Sequence, residues 1–306
     1  MIMSLVAKFG PRVWAKVEIE DNKRISSQTL PEGVQAVLDV PYFEDGVRGH
    51  LLDIYTPDGF EKPLPLIIDI HGGGLMYGYK EINKNFCYHL VLDGFIVISI
   101  NYRLVPDVLY GDQVRDVLAA FRWIAEHGAE YGCDMEHVFV AGDSAGGQLT
   151  AHCTLVNNHP ELRRIYRVEE SGLKIRGVGL ICCMVNRKGK SAFMNGAAFG
   201  RGYRKNSEYE GTDLKKYLAP EYFPPAYIVT SDQDFIQEGS VYMKKLLREK
   251  NISHRFRNWG YNKQEPIEHV FNVAYPDRAE SVQTNHELTG YFKELCSAEP
   301  LRASHN

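Results

Sequence analysis

Ser144 stands in Gly142-Asp-Ser-Ala-Gly146, directly after the apolar run Val138–Ala141 and directly before a segment with helical character. A serine hydroxyl is a weak nucleophile, and chemistry at it requires two things. A base must lie within hydrogen-bonding reach, and donors must meet the negative charge that develops on an attacked carbonyl oxygen. A strand, a sharp turn and a helix would push the hydroxyl outward on a strained backbone, and that turn tolerates only small neighbours such as Gly142 and Gly146. A second glycine cluster, His71-Gly-Gly-Gly74, follows another apolar run, Leu64–Ile70. Backbone free of side chains can turn its N–H groups toward a ligand. The amides of Gly73 and Gly74, with that of Ala145, are therefore the candidate oxyanion hole.

The elements that must hold these residues alternate along the chain. Apolar, β-branched runs predict strands over Val34–Tyr42, His50–Tyr55, Leu64–Ile70, Phe95–Asn101, His137–Ala141, Ile175–Cys183, Ala226–Thr230 and Ser253–Trp259. Helical periodicity appears in Ile82–Leu92, Gln113–His127, Ala145–Val156, Val241–Glu249 and Ala279–Leu295. The early strands alternate apolar and polar residues; from Leu64 onward they are nearly all apolar. That change predicts an antiparallel start feeding a parallel sheet with helices on both faces, an α/β fold. Two segments break the rhythm. Residues 1 to about 30 carry an amphipathic patch around Val6, Phe9, Val13 and Trp14, and residues 184–222 are rich in glycine, aromatic and basic residues. Aromatics want burial, so the second segment reads as ordered and functional rather than as a slack connection.

The two glycine motifs, with Asn101-Tyr-Arg-Leu104 and the helix that carries Asp116, make the chain resemble the hormone-sensitive-lipase-like branch of the α/β-hydrolase superfamily. The resemblance runs from about residue 35 to the end. It implies a single domain over 1–306, with a mostly parallel eight-stranded sheet and a small cap, here expected from about 1–30 and 184–222. It also implies the order nucleophile, acid, histidine, which puts both partners of Ser144 downstream. The acid is expected just past the strand Ala226–Thr230, where Asp232 and Asp234 compete. Asp234-Phe-Ile, with Glu238-Gly239 after it, matches the family pattern better, although the step before that Glu-Gly pair is shorter than usual, and Asp232 stays as the alternative. For the base, His269 in Glu268-His-Val-Phe271 resembles the family's His-x-Phe signature. His254, His286 and His305 fall on a strand, a helix and the tail. Arg103 is expected to pair with Asp116, Asp143 to order the turn at Ser144, and His71 to brace the glycine loop.

These assignments imply acyl transfer through an acyl-enzyme intermediate: Ser144 attacks an ester, His269 carries the proton and Asp234 orients His269, with no cofactor and no metal. The insertion's mix of aromatic and basic residues suits a small soluble ester, short-acyl or acetylated, with sugar acetates and hydroxycinnamates within that class. Two other readings use the same sequence. One is an arylformamidase-type amide hydrolase; the other is a non-catalytic binding protein on this scaffold, like the plant gibberellin receptor.

Composition narrows the partners. A formal charge of -4 gives no electrostatic footprint for nucleic acid, and the group Arg201, Arg204, Lys205 is too short for a polybasic tract. No apolar stretch is long enough for a membrane span, and the first residues lack the pattern of a secretory leader. The six cysteines form no C-x-x-C pair, so they read as reduced thiols in a cytoplasmic protein without a metal cluster. The small-molecule ester is the expected partner, and self-association through the insertion is the alternative role for that segment.

Overall fold

A computed structural model describes residues 2–185 and 205–298, with side chains from residue 14 onward. In chain order the helices are α1 (Ile2–Ser27), α2 (Lys84–Leu92), α3 (Tyr110–His127), α4 (Ser144–Asn158), α5 (Pro160–Tyr166), α6 (Ser207–Gly211), α7 (Leu214–Tyr217), α8 (Gln237–Glu249), α9 (Phe271–Ala274) and α10 (Ala279–Ser297). The strands are β1 (Val34–Pro41), β2 (Leu51–Pro57), β3 (Leu64–Ile70), β4 (Ile96–Ile100), β5 (Cys133–Asp143), β6 (Ile175–Ile181), β7 (Ala226–Ser231) and β8 (His254–Trp259). They form one eight-stranded sheet in the order β1-β2-β4-β3-β5-β6-β7-β8. β1 pairs with β2, and β2 with β4, antiparallel; every later pairing is parallel. The expected antiparallel start and parallel continuation are both present.

The sheet's pleat sends successive side chains to opposite faces, and each face has its own core. Leu66, Ile68 and Ile70 of β3 join Ile98, Val140 and Leu180 in one cluster, closed by Val114, Val117 and Phe121 of α3 and Leu149 of α4. Ile67 of β3, Val97, Phe139 and Ala141 face the other way, against Phe86 and Leu90 of α2 and Leu288 and Phe292 of α10. The nearly all-apolar central strands are thus explained: both faces of the sheet are covered.

Two features differ from the sequence reading. The first thirty residues contain a 26-residue helix, α1, that periodicity did not identify as one. Its polar run Glu18–Lys23 and half-exposed Ile19 give it no clear apolar stripe; tertiary contacts hold it instead. Trp14 stacks on Tyr77 with ring centroids 5.4 Å apart. The Tyr77 and Tyr79 hydroxyls donate to Asp21 and Asn22, each at 3.0 Å. At the other side, Arg24 and Gln28 donate to the Ala274 carbonyl at 3.1 and 2.8 Å.

The insertion, where described, carries the short helices α6 and α7. Arg115 pairs with Glu208 at 2.9 Å, and the Gly211 carbonyl accepts from His152 at 3.1 Å. Leu214, Tyr217 and Leu218 are buried, and Tyr209 and Tyr222 pack partly buried against the core, so this part is packed as its aromatic content implied. The rest of the insertion, with Phe193, Phe199, Tyr203, Arg201 and Arg204, lies outside the described residues, as do the side chains of Val6, Phe9 and Val13.

Phe139 joins the parallel sheet to the C-terminal helix. It has no exposed surface and stacks on Phe292 of α10 at 4.4 Å. Phe139→Ala leaves a cavity between β5 and α10 and is expected to cost about 3–5 kcal/mol. Equilibrium urea denaturation measures that loss.

Candidate active site

The turn from β5 to α4 is held by contact with the end of β3. Asp143 is extended (φ −106°, ψ 145°) and Ser144 is left-handed at φ 53°, a conformation that costs a non-glycine residue about 1–3 kcal/mol. The backbone then enters α4 against β3 so closely that a Cβ at position 146 would lie 1.9 Å from the Ile70 carbonyl oxygen. Only glycine fits there. Ser144 itself is nearly buried, and its carbonyl accepts from the Met184 N–H at 2.9 Å, just past β6.

The glycine loop leaves β3 beside this turn. Gly72 donates its N–H to Asp143 Oδ1 at 3.0 Å, so the residue before the serine anchors the residue before Gly73. Gly73 sits at φ 106°, and a side chain there would strike the Tyr77 carbonyl. No hydrogen bond from the amides of Gly73, Gly74 or Ala145 is found among the described residues. His71 lies beneath the loop. Its Nδ1–H donates to the Gly72 carbonyl at 2.8 Å, and its ring stacks on Tyr102 at 4.4 Å. The Tyr102 hydroxyl closes the brace on the His71 carbonyl at 2.9 Å. Burial pulls the His71 pKa down to about 4, so this imidazole is neutral at physiological pH and serves packing.

The downstream partners converge on Ser144. His269 Nε2 lies 2.9 Å from Ser144 Oγ, and its Nδ1 lies 2.7 Å from Asp234 Oδ1. With the Nδ1 proton directed at the carboxylate, Nε2 is the acceptor for the serine proton. Asp234 Oδ2 accepts from the Thr230 hydroxyl at 2.8 Å, and Oδ1 also accepts from the Ile236 N–H at 3.0 Å. Burial alone would raise the Asp234 carboxyl; the hydrogen bond and charge of His269, with the Ile236 and Thr230 donors, outweigh it and hold the group below the ordinary range. Asp232 has a different setting. It is fully exposed and accepts from Asn258 at 2.7 Å and Gln237 at 3.0 Å, away from the histidine.

The supporting pair expected at the next turn is present. Arg103 donates from Nε and a terminal nitrogen to Asp116 at 2.9 and 2.6 Å, fastening the segment after β4 to α3. Of the remaining histidines, His152 is buried between Tyr110, at 2.8 Å, and the Gly211 carbonyl. His254 bonds the Ile252 carbonyl, and His286 lies beside Asp93.

Several contributors lie outside any motif. Gln233 accepts from the N–H groups of Asn262 and Ile267 at 2.9 and 3.2 Å, and the Ser231 hydroxyl bonds the Ile267 carbonyl. Together they pin the loop that delivers His269. Cys182 accepts from the Val270 N–H at 3.3 Å, and its sulfur, the Asp234 carboxylate and His269 lie within 4.8 Å of one another. Phe235 packs edge-on against His269 at 4.5 Å. Asn83 bridges Asp143 and Asp69, as described below. Gln233, between the two candidate acids, and Phe235, within Asp234-Phe-Ile, had positions that could have drawn notice; the others are defined by contacts distant in sequence.

Residues 52–182, less than half of the chain, match the BD-FAE family model. Among curated proteins, esterase LipI of Mycobacterium tuberculosis is 42% identical over 96 residues, covering 31% of this chain and 29% of that protein. Versiconal hemiacetal acetate esterase of Dothistroma septosporum is 31% identical over 127 residues, covering 41% of this chain and 39% of that protein. The chain thus spans about a third of the length of the curated relatives it matches. Among solved structures, esterase B from Lactobacillus rhamnosis superposes with a TM-score of 0.89 at 26% identity, covering 96% of both chains. A form of that esterase inhibited by a tributyrin phosphonate superposes with a TM-score of 0.85.

Because Asp234 is held below its unfolded value of about 3.9, the folded protein binds that proton less tightly than the unfolded chain does. Its contribution to stability is complete above that value and is lost as the pH falls through it toward the lower folded value. Asp234→Asn is expected to be less stable than wild type at pH 7, with the gap closing below about pH 4. Urea denaturation of both proteins across that range gives the answer.

Proposed function

We propose that this chain, an α/β-hydrolase resembling hormone-sensitive-lipase-like esterases, is a serine carboxylic ester hydrolase for small, short-acyl esters. The observation that carries the reading is the continuous hydrogen-bonded line Asp234–His269–Ser144 beside the glycine loop. Every role of a two-step acyl transfer has a residue in reach. Ser144 Oγ attacks the ester carbonyl as His269 Nε2 takes its proton, and Asp234 keeps the Nδ1 tautomer and steadies the imidazolium. The amides of Gly73, Gly74 and Ala145 receive the oxyanion. His269 then gives its proton to the departing alcohol and draws one from the water that releases the acid.

The substrate follows from the walls. We assign the cap to α1 and the insertion 184–222, consistent with Trp14 lying on Tyr77 and with α6 and α7 packed beside α3 and α5. Tyr77, Tyr79 and Asp21 meet on the α1 side, and Tyr166, Arg115 and Glu208 on the insertion side, a mix of phenols and charge that suits compact, partly polar esters such as acetates, sugar acetates or hydroxycinnamates. The acetate ester in the name of one relative and the tributyrin phosphonate bound to a structural neighbour fit that size class. No helix among the described residues is long and apolar enough to cross a membrane. None of the six cysteines is paired, which fits a reducing compartment and a cytoplasmic enzyme.

Ser144→Ala is expected to lower kcat by a factor on the order of 10⁴–10⁶. Asp234→Asn should cost several orders of magnitude where Asp232→Asn costs little. Nitrophenyl esters of increasing chain length, run beside N-formylkynurenine, should give an optimum at short acyl chains. A long-chain optimum overturns the compact pocket, and a dominant formamide rate overturns the ester assignment.

A further inference from the structure

Two carboxylates of the central sheet are buried side by side behind the glycine loop. Asp69 of β3 has no exposed surface, and Asp143 of β5 very little. One amide nitrogen joins them. Asn83 Nδ2 lies 2.9 Å from Asp143 Oδ1 and 3.1 and 3.3 Å from the two oxygens of Asp69. Asn83 sits in the turn before α2 and is itself buried. We propose that Asn83 is a positioning residue for ester hydrolysis, holding Asp143, and through it Gly72 and the oxyanion donors, against the buried carboxyl of Asp69. This rests on the esterase reading given above.

The chain of contacts is short and directional. Asp143 Oδ1 accepts from both Asn83 and the Gly72 N–H, so Asn83 restrains the same oxygen that anchors the glycine loop. A Cβ at position 72 would lie 2.3 Å from Asp143 Oδ2, so the loop already presses on the carboxylate and has little room to shift. The other side of the brace is equally packed: Ser99 of β4 donates to Asp69 Oδ2 at 2.8 Å.

The cluster also needs a proton. Asp69 faces Asp143 from β5, the Cys87 thiol from α2, Ser99 from β4 and the Tyr102 phenol beyond β4. His269 acts on Asp143, not on Asp69. Lys80, whose carbonyl lies 3.5 Å from the Ser99 hydroxyl, directs its ammonium to Asp39, Asp53 and Glu81. Burial, then the charge of Asp143, pushes the Asp69 carboxyl up to about 7. Two buried acids sharing one amide, with His269 acting on the Asp143 side, favour keeping one proton in the pair near neutrality. The protonated form lets both oxygen sets meet Asn83 without like-charge repulsion.

The test separates the brace from the esterase reading. Asn83→Ala is expected to lower kcat roughly 10- to 100-fold at nearly unchanged KM, approaching the effect of losing one oxyanion donor. The preference for an ester over its thionoester, whose sulfur uses those donors poorly, should fall by a similar factor. Asn83→Ser, which keeps one donor, should recover part of both and guards against a simple folding defect. Infrared difference spectra of wild type should show a carboxylic-acid band that titrates near neutral pH and disappears in Asp69→Asn. Unchanged kcat and thionoester ratio in folded Asn83→Ala overturns the positioning role; absence of the band overturns the shared proton. Wild type that hydrolyses no ester, while still showing the band, overturns the esterase reading and the positioning role together but leaves the shared proton supported.

Discussion

The constraint on which the site's geometry depends is the first turn of α4 resting on the end of β3, where a Cβ at position 146 has no room. The two strands β3 and β5 are neighbours in the sheet, and their C-terminal ends carry the glycine loop and the serine turn respectively. Bringing two backbones within reach of one reacting carbon requires that neither carries bulk at the crossing, which is what Gly146 supplies. The left-handed Ser144 is the strained consequence, and the sheet's two cores supply the rigidity that keeps it so. A looser sheet would relax the turn and withdraw the hydroxyl.

Charge is distributed around this crossing with a clear division. On the histidine side, Asp234 is ionised, supplied with donors and directed at an imidazole. On the glycine-loop side, Asp69 and Asp143 are joined by an amide, and the charge of His269 acts on Asp143. Carboxylates of one residue type therefore have opposite tendencies, because Asp234 is bonded directly to His269, whereas Asp69 is buried against Asp143 and bonded to neutral donors.

The sequence made the sheet and the motifs legible for a local reason. The strands are either alternating or nearly all apolar, and Ser144, Gly73, Asp234 and His269 sit in short patterns tied to strand ends. The choice of Asp234 over Asp232 was a narrower matter. The two differ by burial and by what reaches them, and neither property is written in Ser231-Asp-Gln-Asp234. Helix α1 was missed because its stability comes from Tyr77, Tyr79 and Ala274 rather than from an apolar stripe of its own. Asn83, Cys182 and Gln233 escaped for a related reason. Each acts through contacts 14 to 88 residues away, with no spacing to announce it.

Helix α1 touches both shores of the site. Tyr77 and Tyr79 belong to the segment that continues the glycine loop, and Ala274 ends the helix that follows His269. A single element docked on both sides makes helix docking and loop geometry one thermodynamic cycle. Reciprocity then applies: a bound molecule that favours the docked arrangement tightens the helix by the same factor by which the helix tightens the molecule. A population of molecules with α1 released would lower apparent affinity in proportion to its size, about tenfold for each 1.4 kcal/mol of lost docking once release dominates. Apparent affinity would then depend on how firmly α1 is docked as well as on the shape of the pocket.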